Sequence, residues 1–269
     1  MKKIFLVTAV LSMMALQAQE KSNATKNETT ENETVQTYKL AVNKGKLIVN
    51  LGQVTIEGYD GKEIIFTNNK RVVKNLDERA KGLRAINANA LEDNSGLGIN
   101  VVQKDGNVEV VQLNRISSPS ITIKVPKTMS VSYDYQAQFG SKVVLKNIEK
   151  EIEVSTSYNS IELEDVTGPA TVSTIYGSID AKFTQNVKGP LSVVSIYNRV
   201  DVTIPKMAKA DVKASTSFGE VLVAPELPLI MESKSGMIKY NDQINATLNG
   251  GGTSFNFRSD YGKIYLRAL

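Results

Sequence analysis

The stretch VTGPATVSTIYGSID (Val166–Asp180) is followed, at an offset of 21 residues, by VKGPLSVVSIYNRVD (Val187–Asp201), and the two align without a gap. The opening Val, Gly-Pro, a central Val, Ile-Tyr and the closing Asp fall on matching positions. Working outward, an aromatic followed by Gly or Asn recurs at Phe139-Gly140, Tyr158-Asn159, Tyr176-Gly177, Tyr197-Asn198, Phe218-Gly219 and Tyr261-Gly262. Ser235-Gly236 holds the slot between the last two. After each of these except the first comes a short strand-like run: SIEL, SIDA, RVDV, EVLV, MIKY, KIYL. Before several of them lies another, such as IEVS, ATVS and LSVV. A repeat near 20 residues with two short strands is the signature of a solenoid, in which each coil covers the apolar face its neighbour cannot bury alone.

Stacking of this kind sets like residues in columns about 4.8 Å apart, with parallel strands. Ile161, Ile179, Val200 and Val221 are expected to form one inward column, and Leu163, Ala181, Val202 and Val223 its neighbour. Val154, Val172 and Val193 belong to the opposing wall. Each buried Val or Ile contributes roughly 1.5–3 kcal/mol. Gly or Asn after the aromatic reads as a corner with φ > 0, which those residues tolerate best. Gly168-Pro169 and Gly189-Pro190 mark the second corner. The predicted fold is all-β, a right-handed parallel β-solenoid over residues 121–269.

Residues 36–120 read as a strand-rich part with one helix. YKLAV, KLIVNL, QVTIEGY and EIIFTN alternate at period two, and LGINVVQ and NVEVVQLN pair through an Asp105-Gly106 turn. NLDERAKGLRAINANAL (Asn75–Leu91) breaks the rule. Leu76, Ala80, Leu83, Ile86 and Ala90 fall three or four apart, predicting a helix despite Gly82. Residues 1–18 read as a signal peptide, with Lys2 and Lys3 before the apolar Ile4–Leu16 and Ala18 at the cleavage point. The polar run 19–35 contains no large apolar side chain except Val35 at its end, and reads as a disordered linker. Its Asn-x-Thr sequences at Asn23, Asn27 and Asn32 fit a Thr/Asn/Glu-rich linker as well as they fit glycosylation.

Composition narrows the chemistry. Without residues 1–18 the chain keeps 30 basic and 28 acidic side chains, so no electrostatic footprint for nucleic acid is present. The absence of Cys rules out disulfides, thiolate catalysis and a lipidated cysteine anchor. The absence of His removes the commonest general base and the commonest transition-metal ligand. No stretch predicts a membrane span, no cofactor is implied, and the expected location is the periplasm or cell surface.

Two outward columns are candidate ligand faces. Glu162, Asp180 and Asp201 share one position on successive coils, followed by Leu222, Lys239 and Tyr265. Carboxylates about 5 Å apart suit a Ca²⁺ site or a retaining glycosidase pair. They equally suit a solvated face relieved by Lys182 and Arg199. Tyr158, Tyr176 and Tyr197 form either a sugar-stacking platform or a packing ladder. NGGG (Asn249–Gly252) lacks the Lys-Ser/Thr of a phosphate cradle and reads as a loop.

These residues resemble the bacterial putative-adhesin family, a group of exported β-solenoid domains. The resemblance is carried by ITIKVPKTMSV (Ile121–Val131) and by V-x-G-x-x-x-V-x-x-x-Y-G-x-I, clearest from Val166 to Ile179. DERAKGLRAINANALEDNSGLGINV (Asp77–Val101) is similar to the head region of some members. The resemblance implies a cell-envelope role with a glycan or envelope protein as partner, and it supplies no catalytic residues. Three classes stay open: an adhesin-like or scaffold module without catalysis, a carbohydrate-active β-helix enzyme (lyase or hydrolase), and a structural envelope spacer.

Overall fold

The computed structural model describes residues 36–68, 78–80, 82–83, 86–231 and 242–269. The expected signal peptide and 19–35 linker, Ser235-Gly236 and MIKY lie outside the described residues, as does part of the expected helix.

The described residues form strands β1 (Thr37–Leu40), β2 (Lys46–Asn50), β3 (Val54–Tyr59), β4 (Ile64–Asn68), β5 (Ile99–Lys104), β6 (Asn107–Gln112) and β7 (Ile121–Pro126). The central part contains β8 (Ser130–Tyr135), β9 (Lys142–Lys146), β10 (Ile152–Thr156), β11 (Ser160–Val166), β12 (Ala170–Thr174), β13 (Ile179–Phe183), β14 (Leu191–Ser195) and β15 (Val200–Ile204). Then come β16 (Ala210–Thr216), β17 (Val221–Val223), β18 (Leu229–Met231), β19 (Asp242–Leu248), β20 (Thr253–Ser259) and β21 (Ile264–Ala268).

They build two large mixed sheets. The first has the order β1-β4-β7-β3-β9-β11-β13-β15-β21-β17, and the second β18-β19-β16-β20-β14-β12-β10-β8-β2-β6-β5. From β8 to β15 the chain alternates between the sheets, and from β10 onward each strand pairs in parallel with the strand two before it. Period-two burial sends every second side chain into one core shared by both sheets.

The register confirms the columns within this central part. Ile161, Ile179 and Val200 are Cα partners, as are Leu163, Ala181 and Val202. Val154, Val172 and Val193 align on the opposite wall. Beyond Val200 the expected order fails. Ile264 of β21 lies between Val200 and Val221, and Leu266 between Val202 and Val223. In the second sheet β20 likewise separates β14 from β16. The pair β20–β21 therefore fills a slot that β16 and β17 leave open. The pair β2–β3 does the same at the other end, between β8–β9 and β6–β7.

The parallel order also gives way at the sheet ends. Antiparallel strands close three of them: β4 with β1, β5, and β19 with β18. At the fourth, β17 is only three residues long. Short or antiparallel ends limit the open ladder a stack would otherwise offer to another chain.

The expected helix over Asn75–Leu91 is not formed in the residues described. A single 3₁₀ turn covers Glu78–Ala80, and Ile86 makes an isolated antiparallel bridge with Glu92. Gly82 and Ala90 both have positive φ, which interrupts a helix. The Asn87 carbonyl Oδ1 accepts from the backbone N–H groups of Asn89 and Leu91, a local bonding pattern that competes with helix. Leu83 and Ile86 stay exposed, so these two members of the apolar stripe cover no surface. The Asp105-Gly106 turn does form, with positive φ at both residues as a two-residue hairpin requires.

Candidate functional site

The corner after β10, β12, β14, β16 and β20 of the second sheet is built by one local motif: Thr or Ser, any residue, Tyr or Phe, then Gly or Asn. It occurs at 156–159, 174–177, 195–198, 216–219 and 259–262. In each case the buried or half-buried hydroxyl accepts from the Gly or Asn N–H three residues on. The same hydroxyl donates to a carbonyl of the neighbouring strand pair, as in Ser195 Oγ to Gly177 O at 2.8 Å and Ser259 Oγ to Asn198 O at 2.6 Å. These hydroxyls form a ladder through the molecule.

The glycines of this motif do not have positive φ, contrary to the expectation from sequence. Their reason is close approach. A Cβ on Gly177 would overlap the Asn159 carbonyl, and one on Gly219 the Gly262 carbonyl. Where Asn stands instead, at Asn159, its side chain is fully buried and donates to Gly52 O at 2.7 Å. Gly168 and Gly189, at the opposite corners, do have positive φ.

The motif places its aromatic ring outward. Tyr158, Tyr176 and Tyr197 stack at centroid separations of 5.2 and 5.0 Å. The ladder continues into Tyr261 and then Phe218, at 4.9 and 5.0 Å. Tyr261 precedes Phe218 here because β20–β21 is inserted. Ring faces are occupied by neighbouring rings, so sugars cannot stack on the interior ones. The edges and hydroxyls remain open: each ring is about half exposed, and Phe218 is 74% exposed.

Glu162, Asp180 and Asp201 are brought side by side in register, and the column continues through Tyr265 to Leu222. Lys239 lies outside the described residues. Each acid has its own base. Lys142 pairs with Glu162, Arg199 with Asp180 in bidentate fashion (2.8–3.2 Å), and Arg267 with Asp201 through two bonds of 2.7 and 2.8 Å. Of the two bases expected to relieve this face, Arg199 does so at Asp180. Lys182 reaches Asp165 instead. Arg267 also lies over the Tyr265 ring at 5.6 Å. Its hydrogen bonds to Asp201 hold the guanidinium above its usual basicity. Beside the column, the Lys146 ammonium hydrogen-bonds Glu164 and holds that carboxyl below the usual range. Among the described residues no group of three or more acidic side chains is arranged to hold a metal ion. A shallow groove of about 310 Å³ runs along this face.

A larger cleft, about 500 Å³, lies where β6, β2 and β8 end side by side. Asn50 and Gln112 line it from β2 and β6, Gln136 from the residue after β8, and Asn87, Asn89 and Arg115 from the connections. Its residues span positions 50–137 and make no local pattern, so sequence reasoning did not find it.

No protein-family model matches the chain, and no curated protein matches it. Among solved structures, the chain is similar to a putative cell adhesion protein from Clostridium sporogenes at 14% identity and a TM-score of 0.46. That match covers 87% of this chain and 100% of the other. It is also similar to a putative adhesin from Bacteroides fragilis at 10% identity and a TM-score of 0.38, covering 88% of this chain and 98% of the other.

Proposed function

We propose that this chain is an exported, adhesin-like or scaffold module that binds a glycan or a cell-envelope protein along its outer faces, without catalysis. In this reading the alternating strands β8 to β15 wind as a right-handed β-solenoid, the hand the crossover rule favours. The basic and apolar segment over residues 1–18 directs export to the periplasm or cell surface.

The observation that carries the reading is the aromatic ladder. Five rings in continuous contact stand on the outside of the sheets, where the core does not need them. A contiguous exposed apolar strip edged with hydroxyls suits recognition, since aromatic residues are favoured at interfaces. The acidic column supports a non-catalytic role, because each carboxylate is held by its own cation.

The test is retention of the purified exported chain on glycan arrays and on cell-envelope material. The double substitution Tyr176→Ser with Tyr197→Ser should abolish retention while the far-UV circular dichroism is unchanged. Polysaccharide turnover lost in Asp180→Asn would replace this reading with the enzyme one. Binding of nothing at all would leave the spacer.

A further inference from the structure

The cleft across β6, β2 and β8 has a fixed floor and an unsatisfied rim. On the floor, Gln112 is buried and committed at both ends. Its Oε1 accepts from Gly52 N at 2.7 Å, and its Nε2 donates to Asn114 O at 2.9 Å and to the Tyr135 hydroxyl at 3.4 Å. Val111, Leu113 and Ala137 add an apolar patch. Asn87 is anchored through its Oδ1 to two backbone N–H groups, which leaves its Nδ2 for the cleft. On the rim, the described hydrogen bonds take up neither Asn50 Oδ1 nor the side-chain amide of Asn89.

Arg115 is the decisive residue. Arg199, Arg258 and Arg267 each hold an aspartate through paired N–H donors. Among the described residues Arg115 has no such partner, and it lines the cleft. Among the described residues no carboxylate lines the cleft. The nearest on these strands, Asp134, has its Oδ1 taken by Gln136 Nε2 at 2.6 Å. A single guanidinium fork beside free amides matches one carboxylate and a set of hydroxyls, because amides both donate and accept as vicinal hydroxyls do. A phosphate monoester, with close to two charges, would call for more cations than this. The volume falls in the usual range for small-ligand sites, about 300–1,000 Å³.

We propose that this cleft binds an acidic sugar residue of a glycan, with its carboxylate on Arg115 and its hydroxyls on Asn50, Asn87 and Asn89. The proposal rests on the reading of the chain as a binding module and supplies its ligand class and place. The committed floor orders the site before the sugar arrives, which reduces the ordering cost of binding.

Calorimetric titration of the exported chain with trigalacturonate, and with its fully methyl-esterified form, tests it. The acid should bind roughly tenfold tighter than the ester. Arg115→Gln should bring the acid down to the ester's affinity, erasing the roughly tenfold preference. Asn89→Ala should weaken both. Sialyllactose against lactose, run the same way, distinguishes a sialic acid from a uronic acid as the source of the carboxylate. If neither acidic sugar is preferred over its neutral partner, or if Arg115→Gln binds the acid as wild type does, the proposal fails. In that event, envelope retention that still depends on Tyr176 and Tyr197 keeps the adhesin-like reading, and loss of retention altogether removes both.

Discussion

Phe257 offers the sharpest test of the strand order at the far end of the sheets. It sits in β20, with Val193 of β14 on one side and Ala214 of β16 on the other, and it is fully buried. Phe257→Ala removes a ring that fills the space between two smaller side chains. Those neighbours are fixed by their own ladders and cannot close in. The Phe255 ring lies 6.3 Å away and can lean toward the void. Phenylalanine-to-alanine changes in cores cost about 3–5 kcal/mol, and this site belongs near the upper end. Phe218→Ala is the control. It removes one ring at the exposed end of the ladder, with a single stacking partner, for about 0.5–1 kcal/mol. At about 2–4 °C per kcal/mol for a chain of this size, melting should fall by on the order of 10 °C and 2 °C respectively. Urea unfolding followed by far-UV circular dichroism gives both free energies, and tyrosine fluorescence provides a second probe in a chain without tryptophan. If Phe257→Ala lies within about 1 kcal/mol of Phe218→Ala, β20 does not pass between β14 and β16 and the strand order is wrong.

Three further outcomes are expected. Val172→Asp buries an unpaired carboxylate between Val154 and Val193 and should cost several kcal/mol, whereas Ser173→Asp, one residue on and outward, should shift the urea midpoint little; equal midpoints would show the wrong face is inside. Ser195→Ala strands the Gly177 carbonyl and the Asn198 N–H and should lose about 1–3 kcal/mol, against almost nothing for Ser192→Ala on the outer face, as chemical denaturation will report. Burial pushes the Tyr133 phenol well above its ordinary range, while its hydroxyl donates to Leu51 O at 2.7 Å. The folded chain keeps that proton above pH 10, where the unfolded chain begins to lose it, so this part of the stability is complete below about pH 10 and declines by up to about 1.4 kcal/mol per pH unit above. Tyr133→Phe should be less stable at neutral pH yet lose less between about pH 9 and 11.5, and parallel urea-midpoint profiles would refute the assignment.

Sequence made the repeat legible because stacking imposes it. A residue such as Val172 is constrained by Val154 below and Val193 above, so like side chains return at each turn of the chain. The outward Tyr158, Tyr176 and Tyr197 were equally visible, and so was their alignment with one another. The hydroxyl ladder stood in the same motif. It was overlooked because a Thr or Ser two residues before an aromatic carries no apolar signal. The corner glycines were recognised for the wrong reason: left-handed backbone and close backbone approach both select Gly, and the residue type does not distinguish them. Apolar spacing predicts a helix over Asn75–Leu91 that the described residues do not form, because spacing records only where a stripe would lie. It does not record whether a surface exists to receive it, and Leu83 and Ile86 have none.

The order of the stack was not legible, and the reason is the regularity that revealed the repeat. Ile264 fits between Val200 and Val221 because any β-branched side chain fits any rung of that column. Column chemistry therefore determines which face a residue occupies and leaves open which rung it takes. The rung is decided where the regularity ends. The β19 strand pairs antiparallel with β16 and returns the chain beside it, so the slot between β14 and β16 is the one within reach of β20. At the opposite end β6–β7 pack outside β2–β3, and β8–β9 then start on their other side. In both places a strand pair early or late in the sequence gains a parallel neighbour on each side. A pair stacked last in line would have a neighbour on one side only, with its other edge open to fraying or to another chain. Enclosure of these pairs shifts the exposed edges onto antiparallel strands and the three-residue β17, and of these edge strands only β5 is longer than four residues.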